Sequence, residues 1–90
     1  MSLQYAAPAE LTNGSCAQLL DSLDALLAQG DTTVDFSAVV QLDSSAVALL
    51  LEWRRRALHQ RRELSFLALP AALLQLIRVY GVQELLQIKT

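Results

Sequence analysis

The sequence has few of the residues on which several kinds of enzyme depend. It contains one cysteine, one histidine and three glycines in 90 residues. One cysteine and one histidine cannot supply a sequence-spaced set of zinc ligands, and a lone cysteine cannot form a disulfide within the chain. The glycines are isolated, so no Gly-rich loop that could cradle a phosphate is present. These shortages argue against a zinc enzyme and against a nucleotide-binding protein or hydrolase. We expect a protein that is not an enzyme and needs no cofactor.

The net charge and the length of the apolar runs argue against a nucleic-acid-binding protein and against a membrane-spanning one. Seven basic and nine acidic side chains give a formal net charge of -2, whereas general nucleic-acid binding needs a basic surface that displaces counterions. The longest apolar run, Ala46 to Leu51, has six residues, and a membrane-spanning helix needs about twenty. The first residues do not have the pattern of a secretion signal. We therefore expect a cytoplasmic protein with no nucleic-acid partner and no direct membrane insertion.

An amphipathic pattern predicts the first helix over residues 15–29. Counted from Cys16, apolar residues recur at offsets 0, 3, 4, 7, 10 and 11, which places them on one face of a helix. Gly30 then supplies a residue type that commonly ends helices. Because Cys16 belongs to the apolar face, we predict a buried thiol and not a reactive one.

The rest of the chain alternates strand and helix. Runs of β-branched and aromatic residues predict strands, and the apolar run of the later strand predicts a sheet covered on both faces. Asp43, Ser44 and Ser45 are types that cap helix starts, and Pro70 suits a first helical turn. In chain order we predict a strand at 3–5, the helix at 15–29, a strand at 32–36, a helix at 45–60, a strand at 63–69, a helix from 70 to 81, a helical turn at 83–86 and a strand at 87–89.

This alternation predicts the fold class. Helices long enough to cross over between strands imply an α/β fold, with a mostly parallel sheet and about three helices packed on it. Repeats, low-complexity segments and long linkers do not occur, so residues 1–90 are expected to form a single domain.

The helix predicted over 45–60 carries more apolar surface than one core-facing stripe can bury. Val47, Ala48 and Leu51 point away from the residues that have core spacing. Either the sheet and a neighbouring helix cover these three, or they stay exposed as a binding surface; both interpretations are open. The residues with core spacing are Ala46, Leu49, Leu50, Trp53 and Ala57.

Ser44, Ser45 and the arginines around His59 also allow two interpretations each. The serines cap the helix start or form a phosphorylation switch, since phosphate adds nearly two negative charges at a helix terminus that favours anions. The arginines at positions 54–56 and 61–62 form a solvated helix face or meet an acidic partner or phosphate. His59 is expected to belong to the same solvated face, not to a catalytic site.

Several segments resemble a known family. Val34-Asp35-Phe36-Ser37 is followed by Leu42-Asp43-Ser44-Ser45 and an apolar helix, and the chain reads LQLIRVYGVQELL from Leu74 to Leu86. Their order and spacing resemble the STAS family (sulfate transporter and anti-sigma factor antagonist domains) over residues 10–88, which implies a STAS-like fold. Members usually begin with two strands, where this chain has fourteen residues before Ser15. The first strand is expected to be shortened or missing, which would expose a sheet edge and allow homo-oligomers.

Two branches of the family imply different partners. In the anti-sigma factor antagonists, an Asp-Ser-Ser-Gly-Leu-Gly segment carries the serine that a kinase-like anti-sigma factor phosphorylates. That role falls on Ser44, although the Gly-Leu-Gly positions are Ala46-Val47-Ala48 here. In the small STAS subunit of the Mla-type phospholipid-transport ABC system, the same position holds a hydroxyl residue important for function. That subunit binds the cytoplasmic ATPase and supports its assembly and activity.

The run from Ser44 to Trp53, followed by arginines, is more similar to the Mla-type branch, as are residues 65–70 and 79–82. The resemblance therefore implies a cytoplasmic accessory subunit that binds an ABC-transporter ATPase through the start of the second predicted helix. The alternative is an anti-sigma factor antagonist in which Ser44 is the phosphoacceptor. The residues expected to bind the partner are Asp43, Ser44, Ser45, Val47, Ala48 and Leu51, with Arg54 and Arg55 at the rim.

Overall fold

Three short parallel strands form the sheet on which the helices pack, in a computed structural model that describes residues 3–87. The predicted α/β alternation is confirmed. The elements are β1 (Leu3–Ala6), β2 (Glu10–Leu11), α1 (Asn13–Leu19), α2 (Asp24–Gln29), β3 (Thr32–Asp35), β4 (Gln41–Leu42), α3 (Ser45–His59), β5 (Leu64–Leu67), α4 (Ala71–Tyr80) and α5 (Gln83–Leu86).

The sheet has the order β1-β3-β5 and is covered by helices on one face only. Alternate residues of a strand point to opposite faces, and Val34 of β3 is buried between half-buried neighbours on the outer strands. On the other face, Gln4, Ser65 and Leu67 are exposed. The prediction that both faces are covered was therefore wrong. The apolar run at 63–69 does not reveal that the register places Leu67 on the open face.

A second, two-residue ladder precedes the long helix. Parallel pairing joins Glu10 to Gln41 and Leu11 to Leu42, and the amide of Asp43 donates to the carbonyl oxygen of Leu11 at 3.1 Å. This ladder, which the sequence did not predict, brings the residues just before α1 beside those just before α3. Two strands thus precede the first helix. The first strand is not missing, and with four residues β1 is as long as β3 and β5.

The single helix predicted over residues 15–29 is broken at residues 20–23 into α1 and α2. In a continuous helix, the carbonyl oxygens of Leu19 and Leu20 would accept from amides four residues later. Here the Leu19 oxygen accepts from Trp53 Nε1 at 3.1 Å, and the Leu20 oxygen accepts from Arg56 Nη1 at 2.9 Å. Side chains of α3 therefore engage both oxygens, and the Leu19 oxygen also accepts from the Ser22 amide at 3.0 Å, a bond across three residues that belongs to the turn.

Helix α3 runs through the core. Trp53 has no exposed surface, and its ring meets Tyr5 of β1 edge-to-face with the ring centroids 6.0 Å apart. Phe36 and Phe66 form a second edge-to-face pair under the same helix layer, 5.7 Å between centroids. All five residues predicted to have core spacing in this helix are buried: Ala46, Leu49, Leu50, Trp53 and Ala57.

The last part of the chain follows the prediction up to Leu86. Helix α4 begins after Pro70 and ends at Gly81, whose φ of 68° is the left-handed conformation that glycine adopts without strain. The helical turn at 83–86 is α5. The strand predicted at 87–89 lies outside the described residues except for Gln87, which has a left-handed φ of 57°.

Candidate partner-binding surface

The start of α3 is capped by Asp43 and not by Ser44. Asp43 Oδ1 accepts from the Ser45 amide at 2.9 Å and also from the Ser45 hydroxyl, while Oδ2 accepts from the Asn13 amide at 3.0 Å. Ser44 is exposed, and its hydroxyl makes no capping hydrogen bond. The capping interpretation thus holds for Asp43 and is wrong for Ser44. The Ser44 hydroxyl has no hydrogen-bond partner within residues 3–87.

These hydrogen bonds keep Asp43 ionised. The Ser45 hydroxyl contributes most, followed by the amides of Ser45 and Asn13, and together they lower the pKa of the Asp43 carboxyl. A negative charge is therefore fixed one residue before Ser44. Any second negative charge at Ser44, from phosphate or from a carboxylate, would lie beside it.

Cys16 lies beneath the same helix start and is closed to solvent. Its side chain is buried, as predicted. Burial raises the pKa of the thiol, more than the hydrogen bond to Ser45 lowers it, and the charge of Asp43 raises it further. A buried thiol with a raised pKa is a packing residue, because reactive cysteines are partly exposed thiolates.

An exposed stripe follows α3 away from Ser44. Ala48 and Arg55 are exposed, Leu51 between them is half-buried, and Leu58 is 60% exposed. The spacings of four, three, four and three residues place these side chains on one face of the helix. We call this surface the α3 stripe: Ser44, Ala48, Leu51, Arg55 and Leu58. Sequence reasoning missed Leu58, although its spacing from Arg55 gives the signal.

Two of the residues predicted to bind the partner, Val47 and Arg54, are buried. Val47 is 4% exposed and belongs to the core. Arg54 is 5% exposed; its Nη2 donates to the Leu86 carbonyl at 2.8 Å, and its guanidinium lies 5.3 Å from the Phe66 ring centroid. Contrary to the expectation of an exposed contact, the structure therefore leaves neither Val47 nor Arg54 accessible to a partner. Both point from α3 toward other elements of the fold, and Arg54 is covered by α5.

Arg55 is held in place by a chain of ion pairs. Its Nε and Nη2 donate to the two carboxylate oxygens of Glu52 at 2.9 and 2.7 Å. Glu52 also accepts from Arg56 Nε at 2.7 Å. Arg56 in turn binds the α1–α2 turn through Asp21 at 2.7 Å and Asp24 at 3.1 Å. The hydrogen bonds from Arg55 and then Arg56 lower the pKa of Glu52 to about 2.

Residues 3–87 were compared with the requirements of a metal-binding cluster and of a membrane-spanning helix. Within residues 3–87, no group of three or more histidine, cysteine, aspartate or glutamate side chains is placed to hold a metal ion. None of the helices in this range is both long and apolar enough to cross a bilayer.

A comparison with known protein families identifies the family of this chain. Residues 7–87 match the family described as "Mlab, STAS domain". The chain belongs to the STAS family. The match begins just after β1 and includes β2 to β5, the capped start of α3 and the α3 stripe, so the STAS resemblance of the sequence is confirmed. Searches of curated proteins and of solved structures each find no match to this STAS domain.

Proposed function

We propose that this STAS domain is a cytoplasmic accessory subunit, without catalytic activity, that binds and supports the ATPase of a phospholipid-transport ABC system of the Mla type. The observation that carries the proposal is the exposed Ser44 hydroxyl, which makes no cap and begins the α3 stripe. The family match, whose description reads "Mlab, STAS domain", supports this partner.

The stripe has the physical character of a docking surface. Ser44 and Ala48 are small and exposed, so a partner's backbone can approach α3 closely at its first two turns. Leu51 and Leu58 add apolar area, and Arg55 supplies a charge between them. Apolar side chains together with arginine are common in protein interfaces. Asp43 and Ser45 support this surface by fixing the helix start.

A substitution at Ser44 tests the proposal. Ser44→Asp places a carboxylate in the contact beside the ionised Asp43, and we expect a loss of at least about 2 kcal/mol of binding free energy from desolvation and overlap. The measurement is an affinity purification from lysate of the source cells, followed by mass spectrometry and by the Kd of the purified pair. Ser65→Asp, on the open face of the sheet, makes the same change away from the stripe.

The outcomes separate the partners. Recovery of an ABC ATPase with wild type and Ser65→Asp, and its loss with Ser44→Asp, supports the transporter subunit. Retained binding by Ser44→Asp would overturn the placement of the interface. Binding is expected to survive Arg54→Met, because Arg54 is buried beneath α5.

The exposure of Ser44 also favours a second function, an anti-sigma factor antagonist. A kinase needs a hydroxyl that is accessible and not engaged in a cap, and Ser44 meets both conditions. Incubation with ATP and the kinase-like anti-sigma factor of the source cells would then add one phosphate, detected by intact mass and absent from Ser44→Ala. The transporter subunit needs no such modification, so an unmodified wild type under these conditions argues against this second function.

A further inference from the structure

A charged cavity adjoins the α3 stripe on the side of the α1–α2 turn. It has a volume of about 240 Å³ and is lined by Asp24, Arg55, Arg56, His59 and Gln60. Arg55 belongs to both the cavity and the stripe, so a partner that covers the stripe also reaches the cavity. The cavity differs from the stripe in having polar and charged walls.

Two arginine nitrogens in the cavity wall have no hydrogen-bond acceptor among residues 3–87. Arg55 uses Nε and Nη2 on Glu52, and Arg56 uses Nε and Nη1 on neighbouring groups. Among the hydrogen bonds within residues 3–87, none uses Nη1 of Arg55 or Nη2 of Arg56, and the His59 and Gln60 side chains are exposed. Guanidinium groups donate in a planar fork that matches a carboxylate. The site therefore suits an acceptor group.

Asp24, the acidic residue in the cavity wall, does not accept from either of these free donors. Both Asp24 oxygens accept from Arg56 Nη1, at 3.2 and 3.1 Å. Arg56 also pairs with Asp21 and Glu52, so it offsets the charge of Asp24 only in part. The whole cluster contains two arginines and three acidic residues, Glu52, Asp21 and Asp24. With one net negative charge, the cluster repels a doubly charged phosphate more strongly than a single carboxylate, so a carboxylate would be held there by the directed hydrogen bonds of the free Nη1 and Nη2 donors and not by net charge.

Glu52 fixes the direction of Arg55. An exposed arginine normally loses side-chain freedom when it binds, and that loss weakens the contact. Here two hydrogen bonds to Glu52 already restrict the guanidinium, and Glu52 is itself held by Arg56. The free Nη1 is thereby oriented before any partner arrives. Such preorganisation favours one ligand position.

We propose that this cavity receives the carboxylate of an acidic side chain of the partner ATPase, with Arg55 as the direct ligand and Glu52 as the residue that orients Arg55. This inference rests on the proposed function and adds the chemistry of the partner. The contact lies beside the apolar part of the stripe and fixes the rotation of the partner on α3.

Charge reversal at Arg55 tests the proposal on the purified pair of STAS domain and ATPase. We expect Arg55→Glu to raise the Kd at least tenfold. Arg78→Glu, which makes the same charge change at an exposed position of α4, should leave the Kd unchanged. Replacing single acidic residues of the ATPase by arginine should identify one that restores binding to Arg55→Glu. Thermal unfolding confirms that each variant is folded.

The role of Glu52 needs a double-mutant cycle. Glu52→Gln should raise the Kd several-fold more when Arg55 is present than in the Arg55→Gln background, where only the change of charge and the loosened Arg56 act. Additive effects would show that Glu52 acts on binding without orienting Arg55, and would overturn that part of the proposal.

Failure of this inference is distinguishable from failure of the proposed function. An unchanged Kd for Arg55→Glu, together with lost binding for Ser44→Asp, overturns the acidic contact and leaves the stripe as the interface. Unchanged binding for both variants overturns the interface itself. Weakening by Arg55→Glu that no charge reversal in the ATPase restores would also count against a carboxylate ligand.

Discussion

The carboxylate of Asp43 accepts a hydrogen bond from the backbone amide of Asn13 at 3.0 Å, which ties the start of α1 to the start of α3. The same carboxylate caps α3 through the Ser45 amide. One side chain therefore stabilises two helix starts that lie thirty residues apart in sequence.

Asp43→Ala should lower the Tm by a few degrees, because both helix starts lose an acceptor for a backbone amide. Ser44→Ala is the matched control: Ser44 makes no capping bond, so its replacement should leave the Tm unchanged. Thermal unfolding followed by far-UV circular dichroism measures both. Equal losses for the two variants would show that the cap is not specific to Asp43.

Glu52 gives the domain a stability that depends on pH. Hydrogen bonds from Arg55 and Arg56 lower its pKa from 4.5 to about 2. Because the folded state binds this proton less tightly than the unfolded chain, the stabilisation is fully present above pH 4.5 and is lost as the pH falls from 4.5 to about 2. The lowered pKa of Asp43 acts in the same direction.

We therefore expect the free energy of unfolding of wild type to fall more steeply across this pH window than that of Glu52→Gln. Urea denaturation at low salt, above and within the window, measures the two slopes. Added salt should reduce the difference, since all the partners are solvent-accessible. Parallel slopes at low salt would mean that the ion pairs contribute nothing to stability.

Trp53 links the core to the break in the first helical segment. Trp53→Phe removes the Nε1 donor to the Leu19 carbonyl and leaves a gap in a fully buried site, which we expect to cost about 2 kcal/mol. Tyr5→Phe keeps the edge-to-face ring contact and should cost much less. Urea denaturation followed by circular dichroism compares the two, and a Trp53→Phe variant as stable as wild type would contradict the role assigned to this hydrogen bond.

Arg54 is a buried cation that has no carboxylate partner among residues 3–87. Within residues 3–87 its Nε has no hydrogen-bond acceptor, and burial lowers the pKa of its guanidinium. Arg54→Met keeps the apolar stem and removes the charge, so the stability should stay within about 1 kcal/mol of wild type or rise. Arg54→Ala, which also removes the stem that packs beneath α5, should be less stable than Arg54→Met. Denaturant unfolding orders the three proteins, and a large loss in Arg54→Met would show that the bond to Leu86 outweighs the cost of burial.

Local patterns predicted the long elements well and the tertiary details poorly. Helix α3 was predictable because its apolar residues repeat over fifteen positions with a capping residue in front. The break at residues 20–23 was not, because it depends on hydrogen bonds from Trp53 and Arg56, more than thirty residues away. The two-residue ladder of β2 and β4 is too short to give any periodic signal.

In the candidate surface, too, the features set by local spacing could be predicted and those set by tertiary contacts could not. The position of Ser44, Ala48 and Arg55 on one helix face follows from sequence spacing alone. The burial of Arg54 does not, because adjacent arginines look alike in sequence and only the docking of α5 separates Arg54 from Arg55. Sequence also could not show that Asp43, and not Ser44, caps the helix.

The connection between β5 and α4 contains a residue whose replacement should stabilise the domain. Ala68 has a φ of 59°, a left-handed conformation that is unfavourable for any residue with a Cβ. Ala68→Gly removes that strain, and after the added freedom of the unfolded chain we expect a net gain of up to about 1 kcal/mol. The same substitution at Ala72, an exposed position within α4, should instead cost about 1 kcal/mol. Opposite shifts of the urea midpoint for the two variants confirm the conformation of Ala68, and a loss in both would mean that the strain at position 68 is smaller than the entropy cost of glycine.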